Sequence, residues 1–370
     1  MNIKNKKTIL IAGGGSGGHL FPAIAIGNCL EKNGYNIKYI GSKFGIESKI
    51  LPSLNKKYYL LNIKGIHRTI SISNIFSNLI FPFRFVLSFF ISLFILKRNN
   101  PCLVIGTGGY ASGMPLLASI MFKFKTLIHE QNSFPGITTK KLSTKVDKVC
   151  ISNIDSKNYL KGNLILTGLP IREELKTVAK EDACNQLGLN PYLKTVFIVG
   201  GSQGSNTFNE YLLKNYNFYI ENNIQLIWQC GYKNIAKYKS CINHKNILIS
   251  GFFENINIPY AASDIIISRS GAVAINEIAF IKKPMILIPL PSSAGNHQYF
   301  NAKSFADNGA AVLVEENELR KNIIEDKILE LIKNIKKMKM LSDKANTMIK
   351  KNALKNIINE VIELDSNNVK

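Results

Sequence analysis

The stretch TILIAGGGSGGHLFPA, Thr8 to Ala23, runs a short apolar segment into five glycines within six positions, then into residues able to open a helix. Continuous rather than alternating hydrophobicity marks a strand buried on both faces, as in a parallel sheet covered by helices. The glycines permit positive φ and close backbone approach just where that strand hands over. A helix starting there offers unpaired N–H groups to an anion.

Similar runs recur along the chain: IKYIGS (Ile37 to Ser42), CLVIGTG (Cys102 to Gly108), TLIHE (Thr126 to Glu130), KVCIS (Lys148 to Ser152) and LILTG (Leu164 to Gly168). After Gly168-Leu169-Pro170 the pattern restarts with TVFIVGG (Thr195), IQLIWQCG (Ile224), NILISGF (Asn246), DIIISRSG (Asp264), PMILIPL (Pro284) and AAVLVEE (Ala310). Two six-strand series in tandem imply an α/β protein of two Rossmann-like doubly wound domains facing a cleft. The expected division is 1–168 for an amino-terminal domain and 169–349 for a carboxyl-terminal one. From Lys321 onward the chain reads as charged helices, and a last helix at about 350–370 is expected to pack back on the first domain. Ligands in such folds sit beyond the carboxyl ends of strands, so the loops after each run are where chemistry belongs.

With 370 residues, 46% hydrophobic and 19% charged, the chain suits a globular protein of about two domains. The net charge of +22 admits an anionic partner, yet lysine, asparagine and isoleucine are dispersed as an A+T-rich genome would leave them. Basic runs such as KKMKM (Lys336 to Met340) are short and lack interleaved aromatics, which argues against a nucleic-acid groove. Six cysteines show no paired C-x-x-C spacing, as expected of reduced thiols in a cytoplasmic protein. The amino terminus lacks the apolar core of a signal peptide. The segment Leu79 to Leu96 approaches membrane-span length but is interrupted by Pro82 and Arg84. With Arg68, Arg84, Lys97 and Arg98 in or near it, it reads better as an interfacial helix with one buried face.

Two further glycine loops follow the expected strands: GTGGYASG (Gly106 to Gly113) and GGSQGS (Gly200 to Ser205). A dinucleotide fingerprint can be laid on Gly13, Gly15 and Gly18, but it requires an acidic residue after the second strand, where Gly41, Ser42 and Lys43 stand. Three loops fit two domains sharing a ligand and an acceptor. His19, directly after the first loop, is either a packed structural histidine or a general base able to take a proton from an attacking hydroxyl.

GGGSGGHLFPA, GTGGYASG, HEQNSFPG (His129 to Gly136), GLPIR (Gly168 to Arg172), GGSQGS, SRSGAVAINEIAF (Ser268 to Phe280) and NHQYFNA (Asn296 to Ala302) occur in an order that resembles the MurG family of glycosyltransferases. The resemblance spans residues 13 to 302. It implies a GT-B fold whose amino-terminal domain receives a lipid-linked acceptor and whose carboxyl-terminal domain holds UDP-N-acetylglucosamine. The implied reaction is inverting: the C4 hydroxyl of the muramyl sugar of lipid I attacks the anomeric carbon, giving lipid II for peptidoglycan. On this resemblance His19 is the candidate base, Ser16, Gly17 and Gly18 lie against substrate, and Asn132 approaches the transferred sugar. Asn132 also reads as a turn residue before Pro135. Ser202, Gln203 and Arg172 are implied around the diphosphate. The helix opening at Ala272, Val273, Ala274, Ile275 and Asn276 offers further amides, and Glu277 is implied to accept from ribose hydroxyls. The backbone amide of Phe253 is implied to read the uracil edge. His297 and Gln298 stand at positions that contact the donor sugar, although the family has Gln at the first of them.

The chain contains no D-x-D, so neither a metal nor another cofactor is expected, and amides with helix termini are expected to stabilise the leaving diphosphate. The lipid acceptor implies docking on anionic lipids at the cytoplasmic face of the cell membrane. Phe81, Phe83, Phe85, Phe89 and Phe90 with nearby basic residues are the expected contact. Three alternatives remain open on the sequence: a UDP-sugar:diacylglycerol transferase of the same fold, a UDP-N-acetylglucosamine 2-epimerase, and a basic nucleic-acid-binding protein.

Overall fold

A computed structural model describes residues 6–65, 79–172, 175, 178–201 and 203–366. The chain divides into two compact units, Met1–Ile171 with Lys350–Lys370, and Arg172–Ile349.

The first unit carries β1 (Thr8–Ala12), β2 (Asn36–Ser42), β3 (Tyr58–Leu61), β4 (Leu103–Gly106), β5 (Thr126–Glu130), β6 (Lys148–Ile151) and β7 (Leu164–Leu166). All pair in parallel, in the order β3-β2-β1-β4-β5-β6-β7. The sheet thus has seven strands where six runs were read. The extra one, β3, is a four-residue edge strand whose residues are mostly part-exposed, so it lacks the apolar continuity that marks its neighbours. In β1, Ile9 and Ile11 pack with one helix layer and Leu10 and Ala12 with the other. Covering both faces in this way is what makes the strand continuously apolar.

The second unit carries β8 (Thr195–Val199), β9 (Gln225–Gln229), β10 (Ile247–Ser250), β11 (Ile265–Ser268), β12 (Met285–Leu287) and β13 (Val312–Leu313). Their order is β10-β9-β8-β11-β12-β13, again all parallel. In each sheet the strand order reverses beside the first strand, between β1 and β4 and between β8 and β11. Such switch points are where ligands bind in doubly wound sheets. The three glycine loops all occur at these two switch points.

The last helix, Ala353–Ser366, belongs to the first unit, where Ile357, Ile358, Val361 and Leu364 join the core around helix Gly17–Lys32. Lys7 pairs with Asp365 at 2.9 Å and Lys148 with Glu360 at 2.6 Å, which sets its register. Cys29, Cys102, Cys150, Cys184 and Cys230 form no disulfide, and burial pushes the thiols of Cys102 and Cys150 up to about 12.

Residues Phe81–Asn99 form a helix, with Pro82 in its first turn where no intrahelical N–H partner is needed. The helix packs along helix Tyr110–Met121 with Ser88, Ser92, Ile95 and Leu96 buried, whereas Phe83 is 82% and Phe90 60% exposed. Val86, Leu87 and Phe94 share the exposed surface, while Phe81 and Phe89 are partly covered. Arg84 lies over the ring of Phe44 and Lys97 over that of Phe122. Arg68 lies outside the described residues. No helix among the described residues is long and apolar enough to cross a membrane.

Candidate functional site

At the switch point of the first unit, the loop after β1 touches the loop after β4. Gly109 has φ 74° and lies so close to the carbonyl of Gly14 that a Cβ could not be accommodated. Helix Gly17–Lys32 starts directly on the glycine loop, with Ser16 in an extended conformation making no side-chain cap. Ser16 and Gly18 are exposed and Gly17 partly so. A residue that sequence reasoning missed secures this loop. Glu47 is fully buried and accepts from the amides of Gly15 and Ser42, each at 2.8 Å. Such charge-assisted bonds are the stronger kind. Gly14, Gly41 and Gly45 line its carboxyl group so tightly that no side chain would fit at any of them.

His19 is half-buried, and its Nδ1 lies 2.9 Å from Gln131 Oε1 and 3.1 Å from the Thr107 carbonyl. The Gln131 amide nitrogen meanwhile faces the carbonyls of Thr107 at 2.9 Å and His129 at 2.8 Å, and His129 Nδ1 at 3.0 Å. Gln131 of the HEQN motif therefore contacts His19, and His129 contacts Gln131, neither of them singled out from sequence. Asn132 follows a different course: its backbone and side-chain nitrogens both donate to Glu130 Oε1, at 3.0 and 3.2 Å. Glu130 Oε2 accepts from Gly136 N at 3.1 Å, closing the turn. The turn reading of Asn132 accounts for these bonds.

In the second unit, Ser202 lies outside the described residues, and Gln203 is exposed on the loop after β8. Ser205 caps helix Asn206–Glu221 through Phe208 N. Arg269, another residue sequence reasoning passed over, binds that loop to two others. Its Nη2 donates to Ser205 Oγ at 2.9 Å and its Nη1 to the carbonyls of Ile288 and Pro289 at 3.3 and 3.2 Å. The guanidinium lies 4.4 Å from the Phe208 ring centroid and pairs with Glu316. Burial lowers the Arg269 pKa from its ordinary value, and Glu316 opposes that shift.

Helix Ala272–Phe280 opens with Ala272, Val273 and Ala274 partly exposed, whereas Ile275 is buried and contributes only its backbone. The Asn276 side chain turns back to donate to Ala272 O. Glu277 is 2% exposed, pairs with Arg172 Nε at 2.7 Å and accepts from Tyr260 OH at 3.3 Å. Burial raises its pKa, with Arg172 opposing. The expected phosphate contact and the expected ribose acceptor thus hold each other. The Phe253 amide donates to Gln229 Oε1 at 3.3 Å, and Gln229 Nε2 donates to Gly201 O at 3.0 Å. Gln298 uses its carbonyl oxygen to accept from Leu290 N at 3.0 Å. His297 Nδ1 lies 2.8 Å from the carbonyl of Ala294, to which it donates.

Apart from Arg172, which stands where the second unit begins, every described residue in this set follows the carboxyl end of a strand. Residues 9–151 match the Glycosyltransferase family 28 N-terminal domain and residues 195–360 the Glycosyltransferase family 28 C-terminal domain. A UDP-N-acetylglucosamine--N-acetylmuramyl-(pentapeptide) pyrophosphoryl-undecaprenol N-acetylglucosamine transferase of Flavobacterium psychrophilum is 36% identical over 369 residues, covering 96% of this chain and 97% of its own. Among solved structures, MurG of Acinetobacter baumannii is similar with a TM-score of 0.78 at 24% identity, covering 96% of this chain and 99% of that one. A putative UDP-N-acetylglucosamine 2-epimerase from Listeria monocytogenes reaches 0.63 at 11%, covering 96% and 95%. These likenesses carry the fold alone; the sequence relative separates transferase from epimerase. The chain belongs to glycosyltransferase family 28 and is a glycosyltransferase of the GT-B fold.

Proposed function

We propose that the protein transfers N-acetylglucosamine from UDP-N-acetylglucosamine to the C4 hydroxyl of lipid I, undecaprenyl-diphospho-N-acetylmuramoyl-pentapeptide, producing lipid II and UDP. The near-full-length relative of that activity supports the substrates. The observation that carries the chemistry is His19, whose Nδ1 faces two acceptor oxygens and whose Nε2 therefore holds the lone pair. In the proposed step Nε2 takes the C4 hydroxyl proton as that oxygen bonds to the anomeric carbon. The bond from that carbon to the β-phosphate oxygen breaks, the configuration inverts, and charge develops on the departing UDP. Stabilising that charge falls to the amides of Gly201 to Gly204 with Ser202 and to the helix start at Ala272, together with Arg172 once nucleotide competes for it. Glu277 then turns to the ribose, the Phe253 amide to uracil, and His297 and Gln298 to the sugar. No divalent ion enters this scheme.

Because the acceptor tail stays in the bilayer, the enzyme works as a peripheral protein on the cytoplasmic face of the cell membrane. The helix Phe81–Asn99, which itself carries Arg84, Lys97 and Arg98, supplies an exposed apolar surface with basic residues for anionic lipids.

Transfer of labelled N-acetylglucosamine to a short-chain lipid I analogue, with EDTA present and diacylglycerol as the parallel acceptor, tests the reaction. Product on lipid I alone is expected. Product on diacylglycerol alone would keep the donor site and overturn the acceptor. For docking, Phe83→Ser with Phe90→Ser should lose binding to anionic vesicles without loss of thermal stability; unchanged binding would refute that surface.

A further inference from the structure

We propose that Gln131, itself oriented by His129, is the positioning residue that fixes the tautomer and ring orientation of His19. The catalytic consequence rests on the reading of His19 as general base; the tautomer does not.

The assignment follows from donors and acceptors alone. His129 is buried, and its Nε2 faces the Gly168 carbonyl at 3.0 Å and, at 3.3 Å, the Ser152 hydroxyl, which can turn to accept. A carbonyl can only accept, so Nε2 carries the proton and Nδ1 is left as an acceptor. That acceptor, with the carbonyls of Thr107 and His129, surrounds one end of the Gln131 amide. Three acceptors require the NH2 group there, so Oε1 must be the end that faces His19. Oε1 and the Thr107 carbonyl then both demand a proton on His19 Nδ1. The only ring nitrogen left to receive a proton from an acceptor hydroxyl is Nε2.

Burial also lowers the pKa of His129, which keeps its ring neutral. A proton on His129 Nδ1 would set two donors face to face and press the amide to reverse. The whole chain from Gly168 to His19 is uncharged, unlike a histidine oriented by a carboxylate. It offers orientation without a counter-ion for the imidazolium formed in the reaction.

Selective 15N-histidine labelling of the full chain, with His19→Gln to assign the His19 signals, reads the tautomer directly. The expected wild-type result is a neutral His19 protonated at Nδ1; protonation at Nε2 would overturn the proposal without any further variant. Gln131→Met keeps the length of the side chain and removes both its donor and its acceptor. It should leave the Thr107 carbonyl as the remaining partner of Nδ1, weaken the preference for Nδ1–H, loosen the ring and lower kcat about 10- to 100-fold, part of the ~10²–10⁴ that a positioned base contributes, with the KM for UDP-N-acetylglucosamine little changed. Gln131→Glu retains an acceptor for Nδ1 but sets its second oxygen against the three acceptors that held the amide nitrogen, so it should keep the Nδ1–H tautomer while lowering thermal stability. A Gln131→Met protein that keeps both the tautomer and kcat would overturn the proposal. If His19→Gln itself retains full activity, the base reading fails, and the nitrogen signals of the Gln131 variants still decide the positioning.

Discussion

The glycine loops after β1 and β8 begin as near-copies, GGGSGGH and GGSQGSN, each leading from a buried parallel strand into a helix of sixteen residues. They are held in place by opposite charges. The first is pinned by the carboxylate of Glu47, which already occupies the Gly15 amide, and its helix starts on a serine that makes no cap. The second is pinned by the guanidinium of Arg269, and its serine caps the helix. A built-in anion weakens the pull of the first loop on a phosphate, whereas the guanidinium at the second is paired with Glu316 and adds no such anion. The same backbone unit is thereby held in two different ways.

The largest effect should come from removing the cation. Arg269→Met leaves Glu316 without its partner and releases three loop ends, so we expect a loss of about 3 kcal/mol in unfolding free energy and a marked rise in the KM for UDP-N-acetylglucosamine. Adding Glu316→Gln should recover much of the stability and none of the donor affinity. Recovery of both in chemical denaturation and kinetics would erase the contrast between the loops. Glu47→Gln comes next. Replacing an ionised acceptor of two amides by a neutral one should cost about 1–2 kcal/mol and disturb kcat and the KM for the acceptor, leaving donor binding as measured by calorimetry intact. Weakened donor binding would show that the loops are not specialised in this way.

The smallest effect is in the pH dependence of stability. Burial depresses the His129 pKa below its ordinary value of 6.5, so as the pH falls the unfolded chain takes up the proton before the folded one does. The stability contributed by neutral His129 is therefore full above about pH 6.5 and is lost as the pH drops toward the folded value. Glu277 in the second unit has the opposite sign: its raised pKa lets the folded state hold a proton longer, so acidification relieves it. Melting curves between about pH 7 and 5.5 should show a downward slope that His129→Asn makes shallower. An unchanged slope would place the acid sensitivity elsewhere.

Much of the fold was legible because burial on both faces writes itself into consecutive residues, as in Ile9-Leu10-Ile11 and Ile265-Ile266-Ile267. The edge strand Tyr58–Leu61 escaped notice because it is only partly buried. Within the site, His19 could be singled out because it follows its loop directly. Its orienting partner Gln131 could not, since it lies 112 residues away and is neutral, with no charge pattern to betray it. Glu47, 32 residues beyond Gly15, and Arg269, 64 beyond Ser205, escaped because they too lie far along the chain from what they hold.

By itself, then, the sequence determined two parallel sheets, the loops that must carry chemistry, and the glycines that let those loops turn. Only the tertiary structure decided that β1 lies beside β4 and β8 beside β11, and hence which loops meet and which charge holds each one. Hydrophobic burial is a property of single residues and leaves a local trace, whereas a hydrogen bond between distant segments belongs to a pair and exists only once strand order has brought its two halves together.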